Sequence, residues 1–160
     1  AAAENIAFAF HNENGLPLTI VRPFNHTGVG QSVNFVVPKI ANAFKIKEKE
    51  LHLGNIDTAR DFLDVRDVVN AYVKLIENFQ DGEIFNVASG KGFVIGDVIS
   101  ILKELTGHDI EIVQDEKFMR ENEISAPIGD PSKIKQLLNW HPDYRIKDTL
   151  MWMLEKHSGG

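Results

Sequence analysis

The sequence predicts an α/β fold, and three observations carry that prediction. Two short apolar runs, Leu18-Thr19-Ile20-Val21 and Ile84-Phe85-Asn86-Val87, have the β-branched and aromatic composition of buried parallel strands. Runs with helical spacing of apolar residues lie between and around them. Glycine or proline separates one kind of run from the next. Strands alternating with helices in this way build a parallel sheet covered by crossover helices.

Residues 1–14 read as a helix with a broad apolar surface at Ile6, Phe8, Ala9 and Phe10, ended by Asn14-Gly15 ahead of Pro17. It opens on three alanines with no capping side chain before them, as a helix cut rather than started would. The strand at 18–21 stops by Pro23, which has no N–H to give a central ladder. A polar loop comes next, then a helix over about 34–47 with apolar positions at Phe35, Val36, Ile40, Ala43 and Phe44 and with Pro38 tolerated in its first turn. Residues 51–54 and 60–65 read as two short strands that could pair with each other. Val68, Val69, Tyr72, Val73, Leu75 and Ile76 mark a helix packed on a sheet, and Gly82 punctuates before the strand at 84–87. Val98, Ile99, Ile101, Leu102 and Leu105 form the next helix, closed by Gly107, and residues 110–113 a strand with one exposed face. A charged, irregular stretch runs from 114 to 125. Asp130-Pro131-Ser132 starts a helix with Asp as cap and Pro first, carrying Ile134, Leu137 and Leu138 inward over Trp140. A last helix over about 146–156 buries residues among Leu150, Met151, Trp152 and Leu154, and the end frays. The chain has no internal repeat.

Bulk properties narrow the function. At 160 residues, 43% hydrophobic and 25% charged, the chain is long enough for one domain with a real core. A formal charge of −6 disfavours nucleic acid as a partner. With no cysteine, thiolate metal sites are excluded, and no apolar run approaches the roughly 20 residues of a membrane span. These features predict a cytoplasmic protein. The first residue is not Met, which fits a processed start or a piece of something longer.

Chemistry concentrates where the first strand ends. Ligands of open α/β sheets sit outside the carboxyl ends of strands, so Asn25, His26 and Thr27 stand where they could meet one, or they only satisfy local backbone groups. Arg60 and Arg120 come from distant segments and match phosphate oxygens bidentately, or they pair with neighbours such as Asp57, Asp61, Glu121 and Glu123. Glu123 could accept from a ribose diol or lie solvated. Asn86, at the end of a buried strand, could orient a ligand or tie two loops together. The six His show no ligand spacing, and no P-loop, GxGxxG after a strand or nucleophile elbow is present.

Four ordered blocks between Arg22 and Lys133 carry a resemblance. Arg22-Pro23-Phe24-Asn25-His26-Thr27-Gly28-Val29-Gly30-Gln31 is similar to a signature of the extended short-chain dehydrogenases/reductases that modify nucleotide-diphospho-sugars, most of all GDP-4-keto-6-deoxy-mannose reductases and GDP-mannose 4,6-dehydratases. Leu53-Gly54-Asn55 with the run from Arg60 to Val68 resembles the second signature, Phe85-Asn86-Val87-Ala88-Ser89-Gly90 the third, and Arg120-Glu121-Asn122-Glu123 with Gly129-Asp130-Pro131-Ser132-Lys133 the fourth. Val29 and Glu121 each stand where the family commonly has Pro.

The resemblance implies the C-terminal part of a Rossmann-like parallel sheet plus a small α/β substrate-binding lobe. Residues 1–33 and 66–90 would belong to the sheet region, and 34–65 and 91–160 to the lobe. It implies Pro23 and Phe24 near the nicotinamide of NAD or NADP, Asn25 on the sugar-nucleotide diphosphate, Val36 and Lys39 flanking the base, Arg60 and Arg120 on the diphosphate, Glu123 on the ribose, and Asn86 as a further substrate contact. The resemblance further implies a GDP-linked sugar as partner and, for the parent enzyme, reduction or dehydration by hydride transfer. The family's glycine-rich cofactor loop and its catalytic Tyr-x-x-x-Lys are not in this sequence; Ala1-Ala2-Ala3-Glu4 resembles the family's segment just after that Lys. The chain alone is therefore expected to be inactive and to hold no cofactor tightly. Its sheet strands are expected to show an exposed apolar edge or to need a partner, either the missing N-terminal half or a second copy. A non-catalytic nucleotide-sugar-binding module, or a relative using UDP- or dTDP-sugars, is the alternative.

Overall fold

The computed structural model describes residues 2–118 and 128–155. In chain order the elements are α1 (Ala2–Asn14), β1 (Thr19–Pro23), β2 (Asn25–Thr27), α2 (Val36–Lys45), β3 (Glu50–Leu53), β4 (Ala59–Asp64), α3 (Val65–Glu77), β5 (Glu83–Val87), β6 (Gly92–Val94), α4 (Ile95–Thr106), β7 (Glu111–Gln114), a 3-10 turn (Glu116–Phe118), α5 (Ser132–Leu138) and α6 (Ile146–Glu155). The fold is α/β, as the alternation of runs predicts. β1 and β5 pair in parallel with Val21 opposite Phe85. β2 runs parallel to β4, with Asn25 opposite Phe62, and β6 runs antiparallel to β4. β3 pairs in parallel with β7, Leu51 opposite Ile112.

Two apolar cores result. One gathers Ile40 and Phe44 of α2, Leu51 and Leu53 of β3, Val98 and Leu102 of α4 and Leu150 of α6. The other joins Val68, Ala71 and Leu75 of α3 to Phe85 and Val87 of β5, Ile134 and Leu138 of α5, and Trp140. Each large side chain removed from water contributes roughly 1.5–3 kcal/mol. Trp140 lies beneath α5 as its position predicts, and its indole N–H donates to Asp67 O at 3.3 Å.

The structure corrects several expectations. The strands at 51–54 and 60–65 do not pair; β3 joins β7 because that register sends Leu51 and Leu53 into the first core. Two strands go beyond those the sequence signals, β2 and β6, each only three residues and built on polar or glycine-containing sequence. α3 is apolar on two faces, and Val69, Tyr72, Val73 and Ile76 face solvent instead of a sheet. Leu137 and Met151 are likewise exposed, since α5 and α6 already bury Ile134 and Leu138, and Ile146, Thr149 and Leu150. Pro131 occupies the cap position, one residue outside α5, while Asp130 Oδ1 accepts from Ser132 N at 2.9 Å. Among the described residues β1 and β5 pair only with each other, and Ile6 and Phe10 of α1 are exposed.

Candidate functional site

The site is built where the chain changes sheets. β1 ends at Pro23, opposite Val87, and Phe24 N still donates to Val87 O at 2.9 Å. One residue later Asn25 is paired beside Phe62 in a different sheet. Proline ends the first ladder at no cost because its missing N–H lies at the exit. The gap opened by this switch is the floor of a cleft of about 1020 Å³. Pro23, Phe24 and Asn25 line it from the switch, Val36 and Lys39 from α2, Leu53, Gly54 and Asn55 from the end of β3, Arg60 and Phe62 from β4, and Phe118 from the 3-10 turn.

Six of the expected site residues therefore converge: Pro23, Phe24, Asn25, Val36, Lys39 and Arg60. Asn86 is not among the residues lining the cleft; its amide donates to Asp130 O at 3.4 Å and ties the end of β5 to the loop before α5. Arg120 and Glu123 lie outside the described residues.

Three devices hold the cleft. Asp61, wholly buried, accepts from Ser89 N at 2.8 Å through Oδ1 and from Gly90 N at 3.0 Å and Gly129 N at 3.1 Å through Oδ2, so one carboxylate pins two loops behind Arg60. Gly129 is packed so closely that a Cβ there would stand 2.3 Å from Ala88 Cβ and 2.8 Å from the Phe24 ring. The absence of a side chain lets Phe24 turn toward the cleft. Lys39 Nζ donates to His52 O and sits 4.3 Å from the centroid of Phe118. In the sequence Asp61 stands out only as one possible partner of Arg60, and Phe118 does not stand out at all. The pattern of Leu53-Gly54-Asn55 is the one local signal of a tight approach.

A fourth device joins the strand bearing Arg60 to α6. Asp64 caps α3 by accepting from Arg66 N at 2.8 Å, and also takes the Arg66 guanidinium and the Thr149 hydroxyl at 2.7 Å. Burial pushes the Asp64 carboxyl up, but these hydrogen bonds outweigh it and hold the group below the usual carboxylate range. The guanidinium stacks between Tyr144 at 3.6 Å and Trp152 at 4.1 Å. Asp67, one turn along, is pushed up by burial although Asp143 N and Tyr144 N donate to it.

Chemically the cleft offers cations at Arg60 and Lys39, an amide at Asn25, and the aromatic faces of Phe24 and Phe118. That set suits an anionic ligand with a flat ring. Among the described residues no cluster of His, Asp or Glu could hold a metal ion, and no helix is long and apolar enough to cross a membrane.

Residues 1–153 match the family profile described as GDP-mannose 4,6 dehydratase. The chain belongs to the GDP-mannose 4,6-dehydratase family. Among similar proteins, GDP-6-deoxy-D-talose 4-dehydrogenase of Aggregatibacter actinomycetemcomitans is 41% identical over 81% of the chain and 43% of its own length. GDP-6-deoxy-D-mannose reductase of Pseudomonas aeruginosa is 34% identical over 96% of the chain and 52% of its own length. The solved structure of RMD from Pseudomonas aeruginosa complexed with NADPH superposes with a TM-score of 0.88 at 34% identity, over 96% of this chain and 52% of that one. The chain thus spans about half the length of the curated relatives it matches. The Rossmann-like α/β architecture expected from the four sequence blocks is the architecture of that structure.

Proposed function

We propose that the cleft binds a nucleotide-diphospho-sugar with a GDP head, as the substrate side of an NAD(P)-dependent sugar-nucleotide reductase or dehydratase. The observation that carries this reading is the convergence of Pro23, Phe24, Asn25, Val36, Lys39 and Arg60, drawn from three separate segments, on one cleft. Arg60 grips the diphosphate, whose oxygens match its fork, and Asn25 donates to the same group. Val36 and Lys39 flank the base. Arg120 and Glu123 join as diphosphate and ribose contacts, and Asn86 supports the site through its tie to Asp130.

The nicotinamide of NAD(P), when bound, would give a hydride to the sugar in a reduction, or take one and return it in a dehydration. The residues of this chain that fit it are Pro23 and Phe24, which present a rigid ring and an aromatic face at the carboxyl end of β1, where ligands of such sheets lie. Their part is to orient the nicotinamide against the sugar and to keep water away. The 160 residues contain no Tyr-x-x-x-Lys, and by themselves they are expected to bind a sugar nucleotide without turning it over and to hold NADPH weakly.

Calorimetric titration with GDP-mannose, UDP-glucose and NADPH tests this. GDP-mannose is expected to bind, and Arg60→Ala to weaken it about ten- to a hundredfold, the range for a lost charged hydrogen-bond pair. Equal binding by Arg60→Ala, or no sugar nucleotide bound by the wild type, refutes the assignment. Preference for UDP-glucose would move the substrate to the uridine-linked class.

A further inference from the structure

We propose that Phe118 is a specificity-determining positioning residue: its ring fixes the Lys39 ammonium at the base end of the cleft, so that Lys39 donates to a keto oxygen on the base. The proposal rests on the reading of the cleft as a nucleotide site. Lys39 belongs to α2 and Phe118 to the turn after β7, yet Lys39 Nζ lies 4.3 Å from the Phe118 centroid and both residues line the cleft. The same nitrogen donates to His52 O. An ammonium has three donors. One is committed to that carbonyl and the charge rests on the aromatic face, which selects one arrangement from the many open to a four-carbon side chain.

The rest of the turn is shaped to deliver that ring. Asp115 N donates to Leu53 O at 2.8 Å, Phe118 N donates to Asp115 O at 3.0 Å, and Asp115 Oδ1 accepts from Lys117 N at 3.0 Å. The turn presses on Gly54 so closely that a Cβ there would stand 2.3 Å from the Phe118 carbonyl oxygen. Phe118 remains 52% exposed, so its part in the cleft is to seat the Lys39 ammonium rather than to fill the core.

Chemistry then sets the preference. A fixed ammonium only donates, so it suits the keto oxygen of guanine or uracil and is mismatched to the exocyclic amine of adenine. The wild type is expected to favour GDP and UDP over ADP. Phe118→Leu releases the ammonium from its aromatic seat without touching Arg60.

The test is calorimetric titration of the 160-residue chain with GDP, UDP, ADP and inorganic pyrophosphate. Phe118→Leu is expected to weaken GDP about tenfold while leaving ADP and pyrophosphate within about twofold, so that the GDP-to-ADP ratio collapses. Phe118→Tyr, which keeps the aromatic face, is expected to retain the ratio. An unchanged ratio in Phe118→Leu, an equal loss for pyrophosphate, or failure of Phe118→Tyr to retain selectivity overturns the assignment. If the wild type binds GDP and responds to Arg60→Ala while Phe118→Leu does nothing, the nucleotide site stands and this role for Phe118 falls. If the wild type binds no nucleotide, both fall together.

Discussion

Replacing Asp61 tests whether one buried carboxylate holds the back of the cleft. Its two oxygens accept three backbone N–H groups, from Ser89, Gly90 and Gly129, and the side chain is wholly removed from solvent. In Asp61→Asn the amide can keep one oxygen as acceptor but must turn an NH2 against a backbone N–H, losing at least one bond. A lost hydrogen bond to a charged group costs about 1.5–3 kcal/mol, so Asn is expected to destabilise by about 2 kcal/mol. Asp61→Ala removes all three bonds. The Gly129 N–H bond is buried while the other two are part-buried and open to water, which puts the total near 4 kcal/mol, again as an order of magnitude of about 1.5–3 for the first and less for the others. For a chain of this size each kcal/mol moves the melting midpoint by about 2–4 °C, so the Asn variant should melt about 4–8 °C lower and the Ala variant lower again. Urea unfolding with an unchanged slope would show that stability, not the unfolded state, has changed. GDP-mannose affinity should fall with both, because the Gly129 loop packs on Phe24. An Asn variant within about 0.5 kcal/mol of wild type, the scatter of ordinary surface substitutions, would refute the reasoning.

Asp64 and Asp67 are expected to respond oppositely to acid. Asp64 is held low when folded, so its stabilisation is present above its unfolded pKa and disappears as pH falls through the folded value; Asp67 is raised, so its contribution is full below its unfolded pKa and disappears as pH rises through the folded value. Urea midpoints between about pH 7 and pH 3 should therefore fall less steeply for Asp64→Asn than for wild type and more steeply for Asp67→Asn, and curves parallel to wild type would exclude both roles. Gly129→Ala should cost about 1–3 kcal/mol by overpacking against Ala88 and Phe24. Thermal melting checks it, and a neutral result would mean that the loop shifts freely away from Phe24.

Much of this architecture is legible in the sequence because its signals are local. The periods of α2 and α4 and the β-branched runs at β1 and β5 each fit within one window of chain. The strand switch is half legible: Pro23 says that a ladder ends, but Asn25-His26-Thr27 is too short and polar to announce a second strand. The partner of β3 is hidden because Glu50–Leu53 meets Glu111–Gln114, far away in sequence, and only burial of Leu51 and Leu53 decides the pairing. On α3 the 3.6 period supports two apolar stripes at once, and nothing local says which one is covered. In the site, the resemblance located residues lining the cleft, whereas Asp61 and Phe118 act through partners on other elements that no spacing rule connects.

The crossing at Pro23 and Phe24 has a mechanical consequence. Successive Cα atoms are about 3.8 Å apart and Pro23 fixes its own φ, so the tether between the two ladders has almost no slack. Registration of β1 against β5 is thereby transmitted down the chain to Asn25: slipping Val21 one place along Phe85 would drag the amide by about 3.3 Å and turn it to the opposite face of its strand. The alignment of groups across the cleft is inherited from strand register, so an inserted residue at Phe24 would misalign the two halves of the site even with every side chain intact.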